Sequence, residues 1–194
     1  MIGAALIACA LAGPSAPRRE TALGDLGARC DVAEAVLARL TAKRVRHRIG
    51  WRIETGGSDF QQPKIDPATF ADSFVGKAKP SVALARVFAS ARTRGPADDC
   101  PAFRSQVRTL GGLVQSPIEV QAAIYATRTQ GVLHRPCLHI TMLSTPIVNQ
   151  AQTEALAEVS GSCGFGLGGA GFVWYLRRDA GQWVPVGGSD DWIS

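Results

Sequence analysis

The stretch that decides the fold is FVWYLRR (172–178), followed by DAG (179–181) and QWVPV (182–186). Two runs rich in aromatic and β-branched residues, separated by a short Gly-containing turn, predict a β-hairpin. Pro185 has no amide to give to a ladder, so the last strand is expected at a sheet edge. Upstream, CLHITMLS (137–144) is another β-rich run, and 154–162 is expected to return against it, although QTEALAEV is also good helix chemistry. Ile118, Val120, Ala122, Ile124 and Ala126 alternate with Glu119, Gln121, Ala123, Tyr125 and Thr127, the period of a strand. The second half of the chain therefore reads as a sheet.

Pairing 137–144 with 154–163 about a turn near Gln150 sets Cys137 opposite Cys163, within reach of a disulfide after a modest local adjustment. Cys30 and Cys100 remain as a second candidate pair.

The first half reads differently. Asp31-Val-Ala-Glu34 fits a capping box, and Val32, Ala33, Val36, Leu37 and Leu40 follow at helical spacing. Residues 43–54, KRVRHRIGWRIE, change to a period of two. Val45, His47, Ile49, Trp51 and Ile53 fall on one side, and Arg44, Arg46, Arg48 and Arg52 on the other, as in a half-buried antiparallel strand. Asp66-Pro67 is an N-cap followed by proline at the first helical position, opening a helix expected to reach about Ala78. A second short helix is expected within 80–92, a turn-rich connection over 93–101, and no firm helix over 102–110. Helices first and paired strands later predict an α+β domain, with N-terminal helices packed on one face of a mostly antiparallel sheet.

Charge is concentrated. Residues 18–52 hold nine Lys/Arg and four Asp/Glu, whereas the rest of the chain holds twelve of each, so the whole net charge of +5 lies in that segment. An arginine ladder of this kind suits a phosphate-bearing polyanion such as an anionic envelope component. The competing reading is an edge strand protected from aggregation by positive charge. It is favoured because aromatic interleaving is limited to Trp51 and His47, which also leaves no strong nucleic-acid signal.

The chain opens on an uncharged run, IGAALIACALAG (2–13), followed by small residues. That pattern predicts a secretory signal peptide over 1–16, a linker over 17–30 and a single domain over 31–194. Leu6-Ile7-Ala8-Cys9 also looks like a lipobox, which makes Cys9 acylation a minor alternative, and a buried N-terminal helix of a cytosolic domain is the competing reading. Export leaves four cysteines of five, an even set suited to an oxidising compartment, periplasmic or extracellular. No apolar run reaches the roughly 18 residues of a transmembrane helix.

Catalytic motifs are sparse. GSCGFGLGGAG (161–171) contains G-x-G-x-x-G, but the sequel FVWYL is a strand and not the helix a dinucleotide needs, so no cofactor is assigned. His134, Cys137 and His139 form the one dense His/Cys cluster. A disulfide at Cys137 with His139 as a half-buried strand residue explains it more simply than a metal, and none is assigned. Ser160 and Ser162 lack the nucleophile-elbow spacing, and Asp98-Asp99 and Asp190-Asp191 are expected to solvate loops.

The last third, from Leu138-His-Ile-Thr through Cys163-Gly and Tyr175-Leu-Arg-Arg-Asp-x-Gly-x-Trp183 to Trp192-Ile-Ser194, resembles small exported bacterial proteins of unknown function. The family pattern carries a second cysteine soon after the first, where this chain has none. The hairpin is also similar to the closing strands of NTF2-like domains, which implies a curved sheet around a pocket. The expectation is an exported binding or envelope-associated module without catalysis. The alternative is an NTF2-like small-molecule-binding protein or hydrolytic enzyme with His139 and Tyr125 in its pocket. A deep apolar cavity favours the second, and a filled sheet the first.

Overall fold

The structure, a computed structural model, describes residues 24–44, 51–54, 66–91, 95–129, 139–163 and 169–193. In chain order these form α1 (Leu26–Arg44), β1 (Trp51–Glu54), α2 (Pro67–Asp72), β2 (Val75–Gly76), α3 (Val82–Ser90), α4 (Pro96–Asp99) and α5 (Pro101–Thr109). β3 (Leu113–Gln115), α6 (Pro117–Thr129), β4 (His139–Leu143), β5 (Ile147–Val148), β6 (Glu154–Cys163), β7 (Gly169–Asp179) and β8 (Gln182–Ile193) follow. The class is α+β, and all strands join one sheet in the order β2-β8-β7-β6-β4-β1-β3, with β5 pairing β6.

The hairpin is as expected. Asp179 pairs with Gln182, leaving a two-residue loop in which Ala180 (φ 47°) and Gly181 (φ 83°) are both left-handed, the turn that matches strand twist. β2 joins β8 only at Gly187 and Gly188, so Pro185 lies beyond that short pairing, beside a register shift in β7.

Both alternating sets of β6 residues are buried from Ala155 to Ser160, and each needs its own cover. Ala155, Ala157 and Val159 pack with Leu176 and Trp183 beneath α1, α4 and α5, where Val32, Val36, Leu37, Phe103 and Val107 are buried. Leu156 packs with Val173 and Tyr175 beneath Phe74, Leu84 and Phe88 on the opposite face. Helices therefore cover two faces of the sheet, not one. The second face is finished by aromatics: Phe70 stacks on Phe88 at 5.5 Å and meets Phe74 edge-on at 5.2 Å. Tyr175 Oη donates to Glu154 Oε1 at 2.8 Å, and burial together with that bond pushes its phenol upward in pKa.

Several boundaries move. α1 begins at Leu26, inside the stretch read as linker, because Asp25 and not Asp31 holds its first turn: Ala28 N–H donates to Asp25 Oδ1 at 2.7 Å. Asp66 caps α2 as expected, but the helix stops at Asp72 and the chain turns into β2. Ser81 caps α3, whose Leu84, Ala85 and Phe88 are buried. Residues 101–109 are helical after all, since Phe103 and Val107 give α5 a buried stripe. Residues 117–129 are helix and not strand. Ser116 N–H and Oγ–H both donate to Glu119 Oε2, at 2.7 and 2.9 Å, a capping box that overrides the alternating pattern.

The 154–163 segment is strand, which resolves its helical ambiguity, but its register is not the expected one. His139, not Cys137, stands opposite Cys163. The turn lies later than expected: Val148 pairs with Ala155, which centres it between Ala151 and Gln152 and not at Gln150. The one extra residue that the chain uses at 144–146 against β6 takes back only one position of that displacement. Cys137 lies outside the described residues.

Candidate functional site

The predicted arginine ladder is not one strand. Arg44 is the last residue of α1, Arg52 lies in β1, and Arg46 and Arg48 fall outside the described residues. β1 is parallel to both β4 and β3 and lies between them, so Trp51–Glu54 is neither antiparallel nor a sheet edge. Edge protection is thereby excluded for these four residues. Tyr125 sits on α6 with 71% of its surface exposed, which removes it as a pocket wall. His139 opens β4, between Trp51 of β1 and Cys163 of β6. Among the described residues no three potential metal ligands come together, and no helix is long and apolar enough to cross a membrane.

Cys30 and Cys100 do form a disulfide, their Cα atoms 5.5 Å apart across 70 residues of sequence. It ties α1 to the junction of α4 and α5. The residues beside each sulfur reach the same buried loop. Arg29 Nε–H donates to the Pro146 carbonyl at 2.9 Å, and Thr145 Oγ–H donates to Asp99 Oδ2 at 2.8 Å. Burial pulls the Arg29 guanidinium below the ordinary arginine pKa, and the Asp99 carboxylate opposes that shift. Asp98 pairs with Arg104 at 3.1 Å, so the acidic doublet is structural and does more than solvate a loop.

The loop in turn holds β6. Ser144 N–H donates to the Glu158 carbonyl at 3.0 Å, and Glu158 N–H donates to Ser144 Oγ at 3.1 Å. Glu158 has only 3% of its surface exposed and Ser160 only 1%. Strand alternation puts both on the face that carries Leu156, roughly 7 Å apart along the strand. Ser160 Oγ is buried with no hydrogen-bond partner among the described residues. Across β7, Val173 pairs with both Glu158 and Ser189, and Ser189 Oγ meets Ser73 Oγ at 2.8 Å beside the C-terminus of α2.

This polar row continues the aromatic floor under α2 and α3. A carboxylate and a hydroxyl on one face can accept from a ligand bearing N–H or O–H donors, and an unsatisfied buried hydroxyl is costly without a use. Sequence reasoning missed the row. Its signal was in EALAEVSGSC (154–163): both faces of an interior strand are buried, so the charged residue at 158 stands out from its apolar neighbours.

The Gly-rich segment 161–171 ends β6 and opens β7, with Gly161 paired to Ala170 and Ser162 to Gly169, and its residues 164–168 fall outside the described set. Comparison with protein-family models, with curated proteins and with solved structures gives no match to this chain, so the site is read from its own geometry.

Proposed function

We propose that this chain is an exported, periplasmic or secreted module that binds an anionic envelope component or a small ligand without transforming it. The observation that carries the reading is the Cys30–Cys100 disulfide, a bond that persists in oxidising compartments and is rare in reducing ones. The filled sheet adds support, because both faces are packed by side chains around Leu37, Phe103, Phe74 and Tyr175. The basic segment supplies the attraction for an anionic partner, with six Lys/Arg and no Asp/Glu between Arg39 and Arg52.

The test has two arms. A C-terminal alkaline-phosphatase fusion, which folds only outside a reducing cytoplasm, should be active, and the purified chain should begin after Ala16. An inactive fusion with residues 1–16 retained overturns export. Vesicles containing phosphatidylglycerol should retain the protein at low salt and release it on Arg44→Glu, Arg46→Glu, Arg48→Glu substitution; equal retention by the triple variant overturns the anionic partner.

One observation favours the NTF2-like small-molecule reading instead: the unpartnered Ser160 hydroxyl beside the buried Glu158 carboxylate. In that reading Glu158 and Ser160 replace Tyr125 as pocket residues. Retention of an endogenous small molecule through purification, lost on Ser160→Val, would favour it over the module.

A further inference from the structure

We infer that the redox state of Cys30–Cys100 sets how firmly the Glu158–Ser160 row is held, with Arg29, Asp99 and the Ser144–Pro146 loop as the linkage. The disulfide fixes the two chain positions next to which Arg29 and Asp99 project. Those two residues grip consecutive residues of one loop, Pro146 through its carbonyl at 2.9 Å and Thr145 through its hydroxyl at 2.8 Å. The preceding residue, Ser144, brackets Glu158: the Ser144 N–H donates to the Glu158 carbonyl, and the Glu158 N–H donates to Ser144 Oγ. A covalent clamp is thus linked to the backbone of the buried carboxylate by charged or buried hydrogen bonds throughout, the strongest kind available in a low-dielectric interior.

The two cysteines differ in exposure. Cys100 is 1% exposed, whereas Cys30 is partly exposed on α1, so an incoming thiolate meets Cys30 first. A thiolate of a small dithiol bonds to Cys30 Sγ as the disulfide breaks, and Cys100 Sγ leaves and takes a proton. The second thiol of the reductant then closes on the first, releasing Cys30 as a thiol. The dithiol becomes a cyclic disulfide, and the protein gains two electrons and two protons. After reduction α1 is no longer tied to the α4–α5 junction, and Arg29 and Asp99 hold the loop as two independent elements.

Amide hydrogen exchange on the full chain reads this directly, with and without dithiothreitol. Reduction should speed exchange at the Ser144 and Glu158 amides about tenfold or more, while the Arg178 amide, bonded to Thr153 O, stays protected. Thr145→Val, with the disulfide intact, should reproduce part of the increase at the same two amides. Unchanged protection at Ser144 and Glu158 on reduction overturns the linkage. If reduction unfolds the whole chain, the Thr145→Val variant decides, and native protection there overturns it equally.

Discussion

Replacing Gly76 by alanine isolates the contact that seats the α2–α3 layer on the sheet. Gly76 has φ +140°, and a Cβ built there would lie 2.6 Å from Val186 O and 2.7 Å from Gly187 Cα. A conformation of that kind costs an L-residue about 1–3 kcal/mol. Both obstructing atoms are backbone, so relief requires β2 to move off β8. That movement stretches the bond from Lys77 N–H to Val186 O, now 2.7 Å, at a cost of about 1 kcal/mol. Gly76→Ala should therefore lower unfolding free energy by about 2–4 kcal/mol. Gly181→Ala supplies the control: φ is +83°, nothing lies within 4 Å, and only the left-handed penalty of about 1–2 kcal/mol applies. Urea unfolding followed by circular dichroism and tryptophan fluorescence gives both values at constant m. Equal losses of stability in the two variants would refute the close approach at Gly76. A cost for Gly187→Ala no larger than for Gly181→Ala would refute the same reasoning at Gly187, where a Cβ would lie 2.6 Å from Ala78 O.

Three further outcomes are expected. The double variant Cys30→Ala, Cys100→Ala opens a loop closed across 70 residues and should lose about 4 kcal/mol in urea unfolding, with a loss below about 1 kcal/mol contradicting the entropic account. Glu119 is held below the ordinary carboxylate range by the Ser116 amide and hydroxyl, so its stabilising effect is complete above that range and disappears as pH falls through the lowered value. Glu119→Ala should accordingly remove part of the acid-induced loss of helicity, and an unaltered acid limb by circular dichroism would show that the cap contributes nothing. Tyr175→Phe removes a 2.8 Å bond to the partly solvated Glu154 carboxylate and should cost about 1–2 kcal/mol by thermal or urea unfolding. A neutral result would mean that water replaces that bond fully.

Much of the fold was legible because local chemistry dictated it. Asp66-Pro67 needed no tertiary help to start a helix, and two β-rich runs about a short Gly-containing turn marked the hairpin, although the turn holds Ala180 as well as Gly181 at positive φ. The stripe Val32, Ala33, Val36 and Leu37 announced the buried side of α1. Where two local signals competed, periodicity misled. Residues 118–126 alternate like a strand, yet Ser116 and Glu119 close a capping box, and most of the described side chains of α6 are exposed, so burial did not enforce the alternation. The arginine ladder failed for a similar reason. α1 runs through Arg44 into the segment read as strand, and β1 covers only Trp51–Glu54.

The candidate site was hardly legible at all, and the reason is geometric. A glutamate at 158 in a strand reads as solvent-facing until it is known that α2 and α3 cover one face of β6 while α1, α4 and α5 cover the other. Likewise Cys30 and Cys100 were identifiable as a pair only by elimination, since nothing in their spacing encodes a 5.5 Å approach. Sequence by itself determined the hairpin, the α2 cap at Asp66, the apolar stripe of α1 and the local excess of positive charge, because each depends on neighbours within a few residues. Tertiary structure alone decided strand order, the parallel placement of β1, the displaced β4–β6 register and the burial of Glu158. Those depend on which surfaces meet, and a turn centred between Ala151 and Gln152 instead of at Gln150 is enough to shift every pair of a register.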